Sequence, residues 1–409
     1  MANLEYQAAD WEEVALGDVC TFRGGGGFKE QFQGQTDGDY PFIKVSDLNL
    51  PGNEKHVTIS NNWVSAAALK TLGANLQPEG AIVFAKVGAA LKLNRRRILT
   101  RPTAIDNNMM AAIPNPDRID RDFLYYFMVV QDLGRFCQES AVPSVNQGHL
   151  SSIEIGLPSL PEQRGIAAVI RTWDEALDKM QALRAANLRR RIWMRSHLFT
   201  GRTRLPGFSG EWRDLALDEV LTEHGLQGTG AEEVFSVSVH KGLINQIEHL
   251  GRSFAAAETG HYNRVLPGDI VYTKSPTGDF PLGIIKQSKI SQEVIVSPLY
   301  GVFTPATRAL GVILDALFES PIAVRNYLHP LVQKGAKNTI AITNRRFLEG
   351  GMRLPMDPAE QAAIAAIVEA SQAELVCINA EIAALTRQKR GLMQKLLTGE
   401  WRVNLEGAA

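Results

Sequence analysis

The chain has 409 residues, 45% hydrophobic and 21% charged, which is room for two or more ordinary domains with real cores. Its net charge is −1, so overall charge alone points to no nucleic-acid partner. No run of about 18 uncharged apolar residues is present, and Met1–Glu5 lacks a basic-then-apolar signal order, so neither a membrane span nor a secretory leader is expected. The three cysteines, Cys20, Cys137 and Cys377, are odd in number and far apart; that suits a reducing cytoplasm and excludes paired zinc-ligand spacing.

In chain order, Trp11-x-x-Val14-x-Leu16-x-x-Val19 opens the first part, and Gly24-Gly25-Gly26-Gly27-Phe28-Lys29 follows as a flexible loop without phosphate-loop spacing. Tyr40–Val45 and Ala81–Phe84 are strand-like, and Asp122–Met128 is helical. A long helix begins at Pro161-Glu162, where proline and an acid suit a first turn, and Gly201 sits where a C-terminal cap belongs. Residues 162–204 carry ten Lys or Arg against four Asp or Glu. A second part follows, with Asp269–Tyr272 strand-like and Gly311–Leu317 helical, and a second long helix starts at Pro358 and is capped at Gly399.

The chain repeats itself at a shift of 198 residues. Glu162-Gln163 pairs with Glu360-Gln361, Ile166-Ala167-Ala168 with Ile364-Ala365-Ala366, and Leu198-Phe199-Thr200-Gly201 with Leu396-Leu397-Thr398-Gly399. Leu157-Pro158 and Leu354-Pro355 correspond after a one-residue slip; Trp11 and Trp212 open similar segments, and Gly80–Lys86 resembles Gly268–Lys274. In the second repeat Leu375, Ile378, Ile382, Leu385, Leu392 and Leu396 step by three and four, with Lys389 filling the missing place, and in the first Ile166, Ile170, Trp173, Leu177 and Met180 do likewise. Neither stripe can be buried by its own helix, so the two helices are expected to pair, Asn187 falling near the seam. The expected organisation is α/β (α+β): two globular mixed α/β domains, residues 1–156 and 205–353, and two helical spacers, residues 157–204 and 354–409, forming an antiparallel coiled coil with internal pseudo-two-fold duplication.

No catalytic constellation is visible. There is no Asp/Asn-Pro-Pro-aromatic segment, no His-x-x-x-His pattern among the eight histidines and no Gly-x-Ser-x-Gly elbow, so no enzyme site, metal or cofactor is expected in this chain. Phosphate contacts need Lys, Arg or small polar donors, and base edges favour Arg, Lys, Asn and Gln. The candidates in the first part are Lys44, Lys86, Lys92, Arg95, Arg96 and Arg97. Those in the second are Lys274, Ser275, Lys334, Lys337, Asn338, Asn344, Arg345 and Arg346, with Thr343 beside them. The run Arg189-Arg190-Arg191-Ile192-Trp193-Met194-Arg195 reads either as cations favouring a helix end or as a phosphate or partner contact.

This plan resembles the specificity (S) subunits of type I restriction–modification systems. The resemblance rests on Leu157-Pro158-x-x-Pro161-Glu162-Gln163, on Leu354-Pro355-x-x-Pro358-x-Glu360-Gln361, on the two Thr-Gly endings, and on Phe42–Leu48 and Gly268–Val271. It implies a sequence-specific DNA-binding subunit whose two recognition domains each read one half of a split double-stranded target. It also implies two methyltransferase (M) subunits docked on the helices, S-adenosylmethionine held by those subunits, and restriction–translocase (R) subunits joining the complex. A non-catalytic protein-interaction scaffold with weak or lost DNA specificity is the alternative.

Overall fold

The computed structural model describes residues 8, 10–136, 143–247, 259–334 and 340–404. They form two compact units. One comprises residues 1–179 and 382–409, the other residues 180–381.

The first unit contains β1 (Glu12–Ala15), β2 (Cys20–Gly24), β3 (Tyr40–Ile43), β4 (His56–Val57), β5 (Trp63–Val64), β6 (Leu76–Gln77), β7 (Ile82–Ala85), β8 (Arg96–Leu99), β9 (Thr103–Ile105), β10 (Met109–Pro114) and β11 (Glu154–Leu157). A five-stranded sheet runs β2-β10-β7-β8-β4, a smaller one β5-β3-β9-β6, and β1 pairs with β11. β7 is buried along its whole length because it is covered on both faces. Ile82 and Phe84 face one core with the helix Arg121–Val130, while Val83 faces another with Ile43 and Met109.

The second unit repeats the plan. It contains β12 (Trp212–Ala216), β13 (Leu221–Thr222), β14 (Phe235–Ser238), β15 (Gly242–Asn245), β16 (Asn263–Val265), β17 (Ile270–Tyr272), β18 (Ile285–Gln287), β19 (Val294–Val296), β20 (Gly301–Pro305), β21 (Gln333–Lys334), β22 (Ile340–Ala341) and β23 (Gly351–Pro355). Its main sheet runs β13-β20-β17-β18, the order of β2-β10-β7-β8, and β12 pairs with β23 as β1 does with β11. Ile270 and Tyr272 face the core that holds the helix Arg308–Phe318, and Val271 faces the opposite one.

Each unit also holds part of both long helices, Leu160–His197 and Pro358–Leu397. In the first, Asp174 pairs with Lys389. In the second, Arg184 Nε donates to Asn379 Oδ1 at 2.8 Å and Arg190 pairs with Glu374. Partner numbers fall along one helix as they rise along the other, so the pairing is antiparallel. Ile166, Ile170, Ile378 and Leu396 are buried, and Trp173, Leu177, Met180, Leu375, Ile382, Leu385 and Leu392 are half-buried. Asn187 is buried as well. By length and composition alone, an 18-residue window of the second long helix reaches a mean hydropathy of 1.3, high enough for a membrane span. The sequence expectation of no such stretch counted only unbroken apolar runs, and this window is alanine-rich with few charges.

The repeated motifs make the same contacts twice. Gln163 Nε2 donates to Pro158 O at 2.8 Å while its Oε1 accepts from the Asp120 N–H, at the start of the helix Arg121–Val130. Gln361 Nε2 donates to Pro355 O at 2.8 Å and its Oε1 accepts from the Thr307 hydroxyl, at the start of the helix Arg308–Phe318. Arg204, over the Trp212 ring, grips buried Glu360 with two hydrogen bonds of 2.6 Å. Arg402, over the Trp11 ring, grips buried Glu162 and also Asp10. Gly201 and Gly399 adopt φ of 70° and 75°, and a Cβ on Gly201 would meet the Trp212 ring at 2.9 Å.

Lys389 interrupts the apolar seam for a reason the sequence does not display. It shares Asp174 with Lys55, at 3.0 Å, and with the Tyr126 hydroxyl, at 2.6 Å. Burial pushes the Asp174 carboxyl upward, but hydrogen bonds from Lys389 and Tyr126 and the charges of Lys389 and Lys55 outweigh it and hold the group below the usual carboxylate range.

Two outcomes follow for stability. Arg204→Ala strands a buried carboxylate, so it should cost about 2–3 kcal/mol in urea unfolding of the whole chain, and Arg402→Ala, whose cluster includes exposed Asp10, should cost less. Equal losses would show that the two clamps are not distinguished by burial. Because the folded Asp174 pKa is depressed, its stabilisation is complete above the ordinary carboxylate range and is lost as pH falls through the folded value. The unfolding free-energy gap between wild type and Asp174→Asn should therefore be widest near neutrality and narrow in acid; a gap independent of pH would contradict the network.

Candidate nucleic-acid interface

Two of the cationic candidates stand at matching places. Lys86 follows β7, its N–H donating to Asn108 O at 2.9 Å and its carbonyl accepting from Val145 N at 3.0 Å. Lys274 stands just beyond β17 with φ of 56° and is half-buried. Burial holds its ammonium below the ordinary lysine range, outweighing the opposing charge of Glu223, which also accepts from the Asn344 amide. Lys86 and Lys274 therefore mark the same end of two sheets of like order.

Glycines shape the surroundings of Lys86. A Cβ on Gly24 would lie 3.2 Å from its Nζ, and one on Gly25 would lie 1.9 Å from the Asp106 carbonyl oxygen. Gly25 and Gly26 are thus packed, the Gly25 N–H bonded to Met109 O and the Gly26 N–H to Ile105 O, while Gly27 faces open space. The sequence expectation was a flexible loop; close backbone approach, not mobility, explains at least Gly25. Phe28 stacks on Phe42 with ring centroids 3.8 Å apart. Burial raises the Asp106 carboxyl against the pull of its Asn108 hydrogen bond and of the Lys44 charge. Lys44 itself donates to Gln33 Oε1 at 3.0 Å.

The remaining candidates differ in presentation. Lys92 is exposed and Arg95 half-buried. Arg96 is only 1% exposed, lies over the Phe84 ring and donates to Asn94 Oδ1 at 2.6 Å. Burial pushes its guanidinium down, to about 9. Arg96 therefore offers no donor to an external phosphate, a correction to its place among the candidates: alternation along β8 turns it inward. Arg97 is half-buried and donates to the Leu48 and Arg96 carbonyls. Ser275, Arg345 and Arg346 are exposed, both arginines paired to Glu349 at 3.2 and 2.7 Å; Asn344 is half-buried. Lys334 lies in β21, and Lys337 and Asn338 lie outside the described residues. Within the Arg189–Arg195 run three arginines are engaged internally, Arg190 pairing with Glu374 and Arg191 and Arg195 holding Glu319 at 2.6 and 2.9 Å, while Arg189, Ile192 and Trp193 are exposed. Sequence reasoning missed Arg204, Arg402, Lys55 and Asp174; the shift of 198 residues that pairs Arg204 with Arg402 was the available signal for the first two.

No group of three or more metal-ligating side chains occurs among the described residues.

Comparisons with known proteins find likeness in sequence over part of the chain and in fold over nearly all of it. A family model, the type I restriction modification DNA specificity domain, matches residues 8–186. A type I restriction enzyme MjaIX specificity subunit from Methanocaldococcus jannaschii is 23% identical over 175 residues, 41% of this chain. The match spans 39% of that relative's length. Among solved structures, the type I restriction–modification S subunit from M. genitalium matches 97% of this chain and 99% of its own at TM-score 0.57 and 13% identity. A chain from a study of complex assembly and conformational transition of the type I R-M system matches 96% of this chain and 99% of its own at TM-score 0.56 and 15% identity. The resemblance to type I specificity subunits thus holds in sequence over residues 8–186 and in fold along nearly the whole chain.

If the two equivalent lysines face phosphate, Lys86→Ala and Lys274→Ala should each weaken DNA binding and flatten the logarithmic salt dependence by about 0.9. Arg96→Ala should leave that slope alone and lower the unfolding free energy by about 1–3 kcal/mol. A slope changed by Arg96→Ala but not by Lys86→Ala would reverse the assignment.

Proposed function

We propose that the chain is the non-catalytic specificity subunit of a type I restriction–modification complex and reads a bipartite, asymmetric double-stranded DNA target. What carries this reading is one observation: two sheets of like strand order on one chain, each ending at an equivalent lysine, with unlike side chains around the two lysines. Residues 1–156 and 205–353 serve as the two recognition domains, and their sequence differences make the two half-sites different. Two half-sites read by two related modules follow the logic of dimeric DNA readers, here within one polypeptide.

The helical regions, residues 157–204 and 354–409, position two methyltransferase subunits over the DNA, with restriction subunits completing the complex. Their repetition offers two near-equivalent docking surfaces, which favours two copies of one partner. S-adenosylmethionine and the methyl-transfer chemistry belong to that partner.

Base-resolution methylation mapping, in cells with and without this chain, tests the reading. A split motif should vanish when the chain is deleted, and an unchanged methylation pattern would refute the role. An insertion of four residues after Leu177 adds roughly 6 Å of helix and overshoots one turn by only about 40°, so the apolar stripe is nearly kept. With the duplex advancing about 3.4 Å per base pair, the half-sites should persist while the gap between them grows by one or two base pairs. An active variant that keeps the original gap would show that helix length does not set the spacing.

A further inference from the structure

The register that makes Lys86 and Lys274 counterparts extends to the turns entering β10 and β20. Phe84 of β7 lies opposite Met110 of β10, and Tyr272 of β17 lies opposite Gly301 of β20. Phe84 and Tyr272 each stand two residues before the matched lysine, so Met110 matches Gly301 and the turns 106–109 and 297–300 match residue for residue. Their hydrogen bonds match as well. The Met109 N–H donates to Asp106 O and the Tyr300 N–H to Ser297 O, each at 3.0 Å. The Asn108 N–H donates to Asp106 Oδ1 at 2.9 Å, and the Leu299 N–H donates to Ser297 Oγ at 3.3 Å.

Each turn is fastened within its own unit. Met109 O accepts from the Gly25 N–H at 3.2 Å, and its counterpart Tyr300 O accepts from Asn263 Nδ2 at 2.8 Å. Asn108 O accepts from the Lys86 N–H at 2.9 Å, which joins the first tip to its lysine. The two tips share a held main chain and differ in what they display. Asn108 is exposed, its amide also reaching the Asp106 carboxyl, whereas Leu299 is 71% exposed and wholly apolar. An exposed leucine is ordinary by itself. Leu299 is singled out because the register sets it where the other unit carries Asn108.

We propose that Asn108 and Leu299 are specificity-determining residues at equivalent places in the two recognition domains, Asn108 reading an adenine in one half-site and Leu299 the methyl group of a thymine in the other. The inference rests on the reading of a bipartite DNA target. In the major groove adenine offers N7 as acceptor and its N6 amine as donor, and an asparagine amide meets both, Nδ2 donating to N7 and Oδ1 accepting from N6. Thymine alone offers a methyl group there, which an aliphatic side chain covers. Lys86 and Lys274, at the same end of each sheet, supply phosphate contacts that carry no sequence information but fix position. Main chain already held at the tips lowers the ordering cost of reading.

The test uses the full chain assembled with its methyltransferase, on duplexes carrying the split motif found by methylation mapping. Adenines are replaced one at a time by 7-deazaadenine, which lacks N7, and thymines by deoxyuridine, which lacks the methyl group. Wild-type binding should weaken about five-fold at one deazaadenine position in one half-site, for one lost hydrogen bond. It should weaken about four-fold at one deoxyuridine position in the other, for one buried methyl group. Asn108→Ala should abolish the first sensitivity and keep the second, and Leu299→Ala should do the reverse, which a purely structural role at either turn would not produce. Asn108→Ser and Leu299→Ser serve where an alanine variant fails to fold. Wild-type binding indifferent to these analogues overturns the proposal and leaves the specificity-subunit reading intact. So do sensitivities that survive the substitutions, or that fall in the same half-site. If no split motif is methylated in cells carrying the chain, both readings fall together.

Discussion

Two long amphipathic helices cannot each bury a stripe unaided, and their antiparallel pairing is the constraint on which both units rest. Each core is closed by the start of one helix and the end of the other. Ile166 and Ile170 meet Leu396 and Leu397 in the first, and Ile364 meets Leu198 and Phe199 in the second. The carboxylates at the two helix starts, Glu162 and Glu360, are then fixed by arginines arriving from the two helix exits, Arg402 and Arg204. The repeated Glu-Gln pair has a division of labour: glutamate anchors the exit of the opposite helix, while glutamine fastens the helix to its own globular part.

Much of this was legible in the sequence because duplication supplies an internal control. The spacing of Ile166, Ile170 and Leu177 against Leu375, Ile378 and Leu396 predicted the paired helices, and the Gly-x-Ile-Val segments predicted the central strands. Residues whose partners come from distant sequence were not legible. Lys389 read only as a gap in the apolar pattern, because Asp174, Lys55 and Tyr126 lie 215 positions away or more in the chain. Arg96 read as one cation in a basic run, because the strand Arg96–Leu99 was not foreseen and only strand phase decides which face a side chain takes.

The halves have diverged by exchanging main-chain contacts for side-chain ones. Where the first unit lays β4 along the edge of its sheet, the second has, among the described residues, the Asp315 carboxylate accepting from the Gln287 N–H of β18, and where the first has a half-buried lysine–aspartate–tyrosine network, the second joins Arg191 and Arg195 to Glu319. By the 198-residue shift Arg191 is the counterpart of Lys389, so the seam carries a cation at the same place in both helices and has recruited a different carboxylate each time. A duplicated framework tolerates such change because the groups that close each core are kept while their neighbours vary.

Chain order also has a consequence in time. The first unit draws part of its core, Met393, Leu396 and Leu397, from a segment far along the chain from Ile170. At roughly 5–20 residues per second, a ribosome needs on the order of 10–40 s to travel from Ile170 to those residues. Throughout that interval Ile166 and Ile170 have no final covering, and the arginine that neutralises Glu162 does not yet exist. Until Met393, Leu396 and Leu397 are made, the nascent first unit therefore lacks part of its core and keeps apolar surface open.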